Sequence, residues 1–325
     1  MSDAVNLFVL GSFVAACSAK VSRLPQPGET VRAQSFALEA GGKGFNVAVA
    51  ARRLGAEVDG LFAVGTDFLS DFAGRAILAA DLPRTMLIRS SGPTGAGIGF
   101  IDPTGENCIA VFSGANSKLD ADHVDAAHRR VVAAGAVVAQ FEIEDAPISR
   151  AFAIARANGV ATYLNPSPYR QLSPEILRNT DVVVLNEREA AQVCDGAALA
   201  VPSPRRKSDP EVWRPLSAWF FDRGVQGVVL TQGPRGALTW RRGFDRLYQP
   251  AFTVEPVDTI GAGDSFLAGL VVSLGQGRSW AESLARAAAC GALVASVHGV
   301  VAALPTATAL ERFIAAASAR PPQEI

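Results

Sequence analysis

The sequence predicts an α/β fold: a central, mostly parallel sheet with helices on both faces, plus a small β-sheet lid. Three observations carry this. Short β-branched or apolar runs recur along the 325 residues, each followed by a longer amphipathic stretch. Strands that alternate with helices need crossover connections, and crossovers make neighbouring strands parallel. Two regions, at about 15–40 and 94–117, interrupt this rhythm with ribbon-like strands. The expectation is one domain over 1–325, with the lid built from those two inserts. Hydrophobic residues make up 49 % of the chain, enough for a sizeable core.

The elements follow in order. Leu7 to Leu10 reads as the first strand, Asn46 to Leu54 as a helix and Val58 to Val64 as a strand. Phe68 to Ala80 is helical, Ala136 to Gln140 a strand, Pro147 to Asn158 a helix and Val160 to Leu164 a strand. Asp181 to Leu185 and Gly227 to Thr231 are strands, with the helix Glu187 to Cys194 between them. Phe266 to Leu274 and Ser279 to Val294 close the pattern as helices. In the second insert, Ile98 to Ile101 and Asn107 to Phe112 flank Asp102-Pro103-Thr104-Gly105-Glu106, which is hairpin chemistry. A small sheet over the carboxyl edge of a parallel one covers the place where α/β ligands bind. There it would exclude water from a transfer reaction.

Composition removes several function classes. A formal net charge of −1 gives no reason to expect nucleic acid or an anionic membrane as partner, and 7 % aromatic residues make a base-stacking surface unexpected. Cys17, Cys108, Cys194 and Cys290 are widely spaced, and His123, His128 and His298 form no ligand cluster with them. They read as free thiols in a reducing compartment rather than a zinc site. Met1-Ser2-Asp3 lacks a basic leader, and the apolar run from Val131 to Ala139 is too short to cross a bilayer. Ala287 to Ala303 carries His298 and several glycines, as a buried helix leading into a turn would. A soluble, cytoplasmic protein is expected. The Pro-rich segment Val201 to Arg214, with Arg205, Arg206 and Lys207, reads as an exposed loop, and Arg320 to Ile325 as a frayed tail.

Four segments carry the chemistry. Asp258-Thr259-Ile260-Gly261-Ala262-Gly263-Asp264 precedes a small-residue helical pattern. Backbone N–H groups at such a turn suit an anion, and an adjacent carboxylate suits a proton acceptor. A plain helix cap by Asp264 fits the same residues equally well. Gly41-Gly42-Lys43-Gly44-Phe45-Asn46 lets a ligand approach backbone and offers Lys43 and Asn46 as donors; a hinge is the alternative. No Ser or Thr follows Lys43, so it is not a P-loop. Asn186 and Glu189 share a helix face after a strand, where they suit either a hydrated Mg²⁺ or a cap. Thr231-Gln232-Gly233-Pro234-Arg235-Gly236 is a glycine-rich turn that suits the border of a nucleotide.

In this order the segments resemble the ribokinase (PfkB) family of carbohydrate kinases, from about Val5 to Pro305. Gly41 to Asn46 matches GGKGxN and Asp258 to Asp264 matches DTxGAGD. Asn165-Pro166-Ser167-Pro168, Asn186 to Glu189 and Thr231 to Gly236 match NPxP, NxxE and TxGxxG, and Gly11-Ser12 and Arg23 to Thr30 are similar too. The resemblance implies an ATP-dependent kinase of a sugar or sugar-like alcohol, with Asp264 as base and the amides of Gly261, Ala262 and Gly263 as anion hole. It further implies Mg²⁺ organised through water by Asn186 and Glu189, and a nucleotide bordered by Asn186, Thr231, Gly233, Gly236 and Gly263. The sugar would be held by Gly42, Lys43, Asn46 and Glu142. Asp258, the carbonyl of Ile260 and the loop at Gly299 match ligands for K⁺, although a serine of that loop aligns with Ala303. A homodimer through the lid is implied as well.

The departure from the family lies at Val14 and Ala16, which replace a sugar-binding Asn and Asp. A charged hydrogen bond is worth roughly 1–3 kcal/mol, so their loss weakens ribose by about two or more orders of magnitude unless something compensates. That points to an acceptor with fewer hydroxyls, or with an apolar or larger group at that end. Two alternatives follow: a nucleoside kinase of the same fold, with Phe13, Val14 and Ala16 facing a base, and a non-catalytic ligand-sensing relative.

Overall fold

The computed structural model describes residues 5–103, 107–203, 209–317 and 323–324. Its first seven strands are β1 (Asn6–Gly11), β2 (Val14–Lys20), β3 (Ser35–Gly41), β4 (Glu57–Val64), β5 (Leu87–Arg89), β6 (Ala96–Ile101) and β7 (Asn107–Phe112). The rest are β8 (Ala136–Gln140), β9 (Ala161–Asn165), β10 (Val182–Asn186), β11 (Gly227–Thr231), β12 (Ala237–Arg241), β13 (Leu247–Gln249) and β14 (Gln323–Glu324). They form a ten-stranded sheet in the order β14-β13-β12-β11-β10-β9-β8-β1-β4-β5 and a four-stranded sheet in the order β3-β2-β6-β7.

Neighbours from β5 to β11 in the large sheet run parallel, and β12, β13 and β14 extend its edge antiparallel. The buried strands read as apolar runs because helices cover both faces. Along β1, Leu7 and Val9 enter one core while Phe8 and Leu10 enter the other. The first core packs the helices Lys43–Arg53, Ala262–Gly275 and Trp280–Ala295, and the second packs Asp145–Ala157 and Arg214–Phe221. Chain order reverses between β1 and β8, so a crevice opens at their carboxyl ends.

Helix starts differ from the sequence expectation. The helix expected from Asn46 begins at Lys43, and the one expected from Phe266 begins at Ala262. Both follow a glycine with positive φ, Gly42 at 98° and Gly261 at 81°. Gly261 is therefore the cap, and Asp264 lies inside the first turn rather than capping it. The expected ribbons unite, because β2 pairs with β3 antiparallel and with β6 in parallel. Residues 104–106 of the expected hairpin turn and Arg205, Arg206 and Lys207 lie outside the described residues. The tail is not simply frayed, since Gln323–Glu324 pairs with β13. All four cysteines are free, and burial pushes the Cys290 thiol up to about 12. Among the described residues no helix is long and apolar enough to cross a membrane.

One carboxylate ties the two sheets together. Asp67 caps the helix Phe68–Ala79 by accepting from Ser70 N at 3.3 Å, and it also accepts from Thr94 N at 3.0 Å and Thr94 Oγ1 at 2.6 Å. Burial alone would raise this carboxyl; the hydrogen bonds, Thr94 foremost, outweigh it and hold it below its usual value. A depressed carboxylate contributes stability above its unfolded pKa of about 3.9 and loses it as pH falls through the folded value. Asp67→Ala is expected to cost about 1 kcal/mol or somewhat more at neutral pH. In urea melts the gap from wild type should close below about pH 4.

Candidate active site

Two helix N-termini converge at the carboxyl edge of the large sheet. The first is fixed by glycines: a Cβ on Gly44 would lie 2.6 Å from Gly11 Cα, and one on Gly42 would lie 2.7 Å from Ser12 O. This close approach lets Phe45 N donate to Ser12 O at 3.1 Å. The second is fixed at Gly261, where a Cβ would meet Val300 Cγ1 at 2.7 Å. Lys43 and Asn46 project from the first helix and Asp264 from the second.

These side chains meet. Asn46 Nδ2 donates to Asp264 Oδ2 at 2.8 Å, and Lys43 Nζ stands 3.9 Å from Asp264 Oδ1. Asp264 is 5 % exposed. Burial raises its carboxyl above the usual range; Lys43 and Asn46 oppose that, while Glu142 and Glu189 add to it. Lys43 is held above its ordinary value by Asp264, against burial and with help from Glu142 and Glu189. Glu142 accepts from Lys43 N at 2.8 Å and from Ser12 Oγ. Asn46 Oδ1 is buried and has no partner among the described residues, so it can accept from a ligand hydroxyl.

The anion-hole candidates are not equivalent. Ala262 N donates to Thr259 O at 3.2 Å, whereas Gly263 N and Asp264 N reach no backbone carbonyl among the described residues. A Cβ on Gly263 would meet nothing within 4 Å, so the space above this first turn is open to an anion.

Asn186 caps the helix Glu187–Gly196 in a full capping box: its Oδ1 accepts from Arg188 N and Glu189 N, and Glu189 accepts from Asn186 N at 2.9 Å and Asn186 Nδ2 at 3.0 Å. Glu189 is buried, not a solvated charge. With these oxygens engaged, the pair fits Mg²⁺ only through the ion's own waters. Thr231 ends β11, and Gly233 faces open space. Gly236 is a glycine for the fold's sake, because a Cβ there would lie 2.0 Å from Gln249 O. Asp258 Oδ1 accepts from Ile260 N at 3.0 Å, and Gly299 has φ 85° in the facing loop. Carboxylate and carbonyl oxygens of these loops are the hard donors that suit K⁺, and buried Ala303 brings no side-chain oxygen.

Phe13 does not face the crevice. It is fully buried, edge-on to Phe45 at 5.3 Å and Phe72 at 6.3 Å, so it cannot stack on a base. Val14 is buried and Ala16 half-buried on the smaller sheet. Sequence reasoning missed Gln140, which is fully buried with neither amide atom paired among the described residues; a polar end on the apolar run Ala136–Gln140 was its only signal. It also missed the Arg235–Glu187 ion pair at 2.5 Å, which joins the turn after β11 to the helix start after β10.

A model of the pfkB family of carbohydrate kinases matches residues 5–307. The chain is 32 % identical to the ribokinase of Haemophilus influenzae over 303 residues, covering 93 % of this chain and 95 % of that one. It is 29 % identical to the deoxyribokinase of Salmonella typhi over 266 residues, 81 % and 83 % of the two chains. The structure of Arabidopsis thaliana ribokinase complexed with ribose and ATP aligns with a TM-score of 0.85 at 26 % identity, covering 96 % of this chain and 99 % of that one. With its fold, its ordered segments and its full-length relatives in agreement, the chain belongs to the pfkB family of carbohydrate kinases.

Proposed function

We propose that this ATP-dependent carbohydrate kinase uses Asp264 to deprotonate an alcohol group of a sugar or sugar-like acceptor. The observation that carries this is a buried carboxylate in the first turn of a helix, flanked by Lys43 and Asn46 and next to the open amide of Gly263. Asp264 takes the hydroxyl proton, the acceptor oxygen bonds to the γ-phosphorus, and the bond from phosphorus to the β–γ bridging oxygen breaks, its electron pair leaving with ADP. Gly263 N–H and the helix N-terminus stabilise charge on the phosphoryl oxygens, with Gly261 supplying the turn. Because Ala262 N is engaged by Thr259 O, Gly263 and Asp264 carry the larger share.

Gly42, Lys43, Asn46 and Glu142 hold the acceptor, with Val14 and Ala16 at its far end. Asn186, Thr231, Gly233 and Gly236 border ATP. Mg²⁺, when bound, shields the phosphate charge, and Asn186 and Glu189 would hold its water shell. K⁺ would sit between Asp258, the Ile260 carbonyl and the loop at Gly299. Phe13 offers no support to a nucleoside acceptor, and a base so carefully desolvated gives no support to a purely sensing role. A second copy of the chain would pair on the outer face of the lid, where Phe36, Ile98 and Phe112 are 68 %, 57 % and 56 % exposed.

Four measurements test this reading. Asp264→Asn should lower kcat for ADP release about 10²- to 10⁴-fold. The same variant should melt higher than wild type. A buried acid with raised pKa costs stability above its unfolded value of about 3.9, and the cost is complete once pH exceeds the folded value. The gain in Tm should therefore be full at neutral pH and vanish below about pH 4; an active variant would sink the mechanism. Rates should be higher in KCl than in NaCl of equal ionic strength, and equal rates would remove the cation from the site. Phe36→Asp combined with Ile98→Asp should halve the mass seen by light scattering, whereas a monomeric wild type would refute lid pairing.

A further inference from the structure

The inner face of the smaller sheet carries a carboxylate that the fold does not use. Glu39 is exposed on β3, and its side chain makes no hydrogen bond or ion pair among the described residues. Alternation places Val14, Ala16, Glu39 and Gly41 on one face, in the register Val14↔Gly41 and Ala16↔Glu39. That face looks toward the site. Gly41 leads through Gly42 into Lys43, and Glu39 lines a cavity of about 780 Å³ together with Gly299 and with Asp258, Thr259 and Ile260, the loop that runs on into the helix of Asp264. The carboxylate reaches across this cavity, since a Cβ on Gly299 would stand 3.7 Å from Glu39 Oε1.

Nearer the base the same face offers only carbon. Val14 and Ala16 are apolar, and Gly97, paired with Ala16, has no side chain. Ser18 and Lys20 line the cavity further out on β2, but at Val14 and Ala16 an acceptor hydroxyl finds no side-chain partner. It finds one a strand further on, about 5 Å away, at the residue directly opposite Ala16. The small methyl at Ala16, 3.9 Å from where a Cβ on Gly41 would stand, leaves room for a long side chain or a long acceptor to lie over it.

We propose that Glu39 is the specificity-determining residue for the acceptor, taking hydrogen bonds from hydroxyls at the end remote from Asp264, and that the acceptor is a polyol longer than a pentose. The carboxylate absent at Ala16 is supplied from across the strand pair, displaced outward, so the molecule that satisfies both Asp264 and Glu39 is an extended one. This rests on the kinase reading above.

ADP release with D-ribose, D-fructose and D-mannitol tests it, on wild type, Glu39→Ala, Glu39→Gln and the swap Ala16→Asp/Glu39→Ala. A six-carbon acceptor should show the highest kcat/KM with wild type. Glu39→Ala should raise its KM by about 10- to 100-fold, as loss of a charged hydrogen bond does, at unchanged kcat and Tm. Glu39→Gln should fall between, and the swap should shift preference toward D-ribose. Ribose as the best wild-type acceptor, or a Glu39→Ala KM within about twofold of wild type, overturns the inference and leaves the kinase reading standing. No ADP release by wild type with any of the three overturns the kinase reading and this inference with it.

Discussion

Holding the Asp264 carboxylate out of water between two helix N-termini constrains this molecule more than any other interaction. Asp264 is disfavoured by burial and by Glu142 and Glu189, and only Lys43 and Asn46 offset that. Those partners stand on a helix whose position depends on the contact of Gly44 with Gly11. Glycine at 42 and 261, each at positive φ, starts both helices. The β1–β8 reversal in the sheet brings Ser12 and Glu142 to the same point, where Glu142 accepts from Ser12 and from Lys43 N. Each element is ordinary, and their convergence is what keeps a desolvated acid in place.

Much of the fold was legible because the buried parallel strands are apolar runs with helical stretches between them. The misses have local causes. The helix starts at Lys43 and Ala262 are hidden in the sequence because a positive-φ glycine cap leaves no polar capping residue to recognise. β12 and β13 are short and antiparallel, joined by a turn rich in charge, and carry no βα rhythm. In the site, segment order revealed Lys43, Asn46 and Asp264, but the bond between Ser12 and Glu142 spans 130 residues and needed the strand order. Phe13 beside Val14 gave no sign in sequence of which residue points inward, since strand alternation has no fixed phase until the ladder is known.

The glycines show how fold and ligand demands separate. Those at 11, 42, 44, 236 and 261 are forced by neighbouring atoms, and a side chain there would strike protein. Gly233 and Gly263 are not, because each faces open space. Identical letters in one motif thus answer to different constraints. Gly236 belongs to the turn that meets Gln249 O, whereas no neighbouring protein atom requires a glycine at 263.

The same separation governs what can change. Residues around Asp264 are bound to one another, so altering any of them disturbs the burial of a charge and the packing of two helices. The smaller sheet is different. Beyond the buried positions Val14, Ala15, Gly41, Gly97 and Gly99, its described strand residues are half-buried or exposed, and the Glu39 side chain makes no hydrogen bond or ion pair among the described residues. A carboxylate can move from one strand to its cross-strand partner there at little cost in stability, because each position projects from the same face of a two-sided ladder. The proposed catalytic carboxylate and the proposed acceptor contact therefore sit on elements with unequal freedom to vary. A chain built this way can keep the residues around Asp264 fixed while the open positions of its smaller sheet are rewritten.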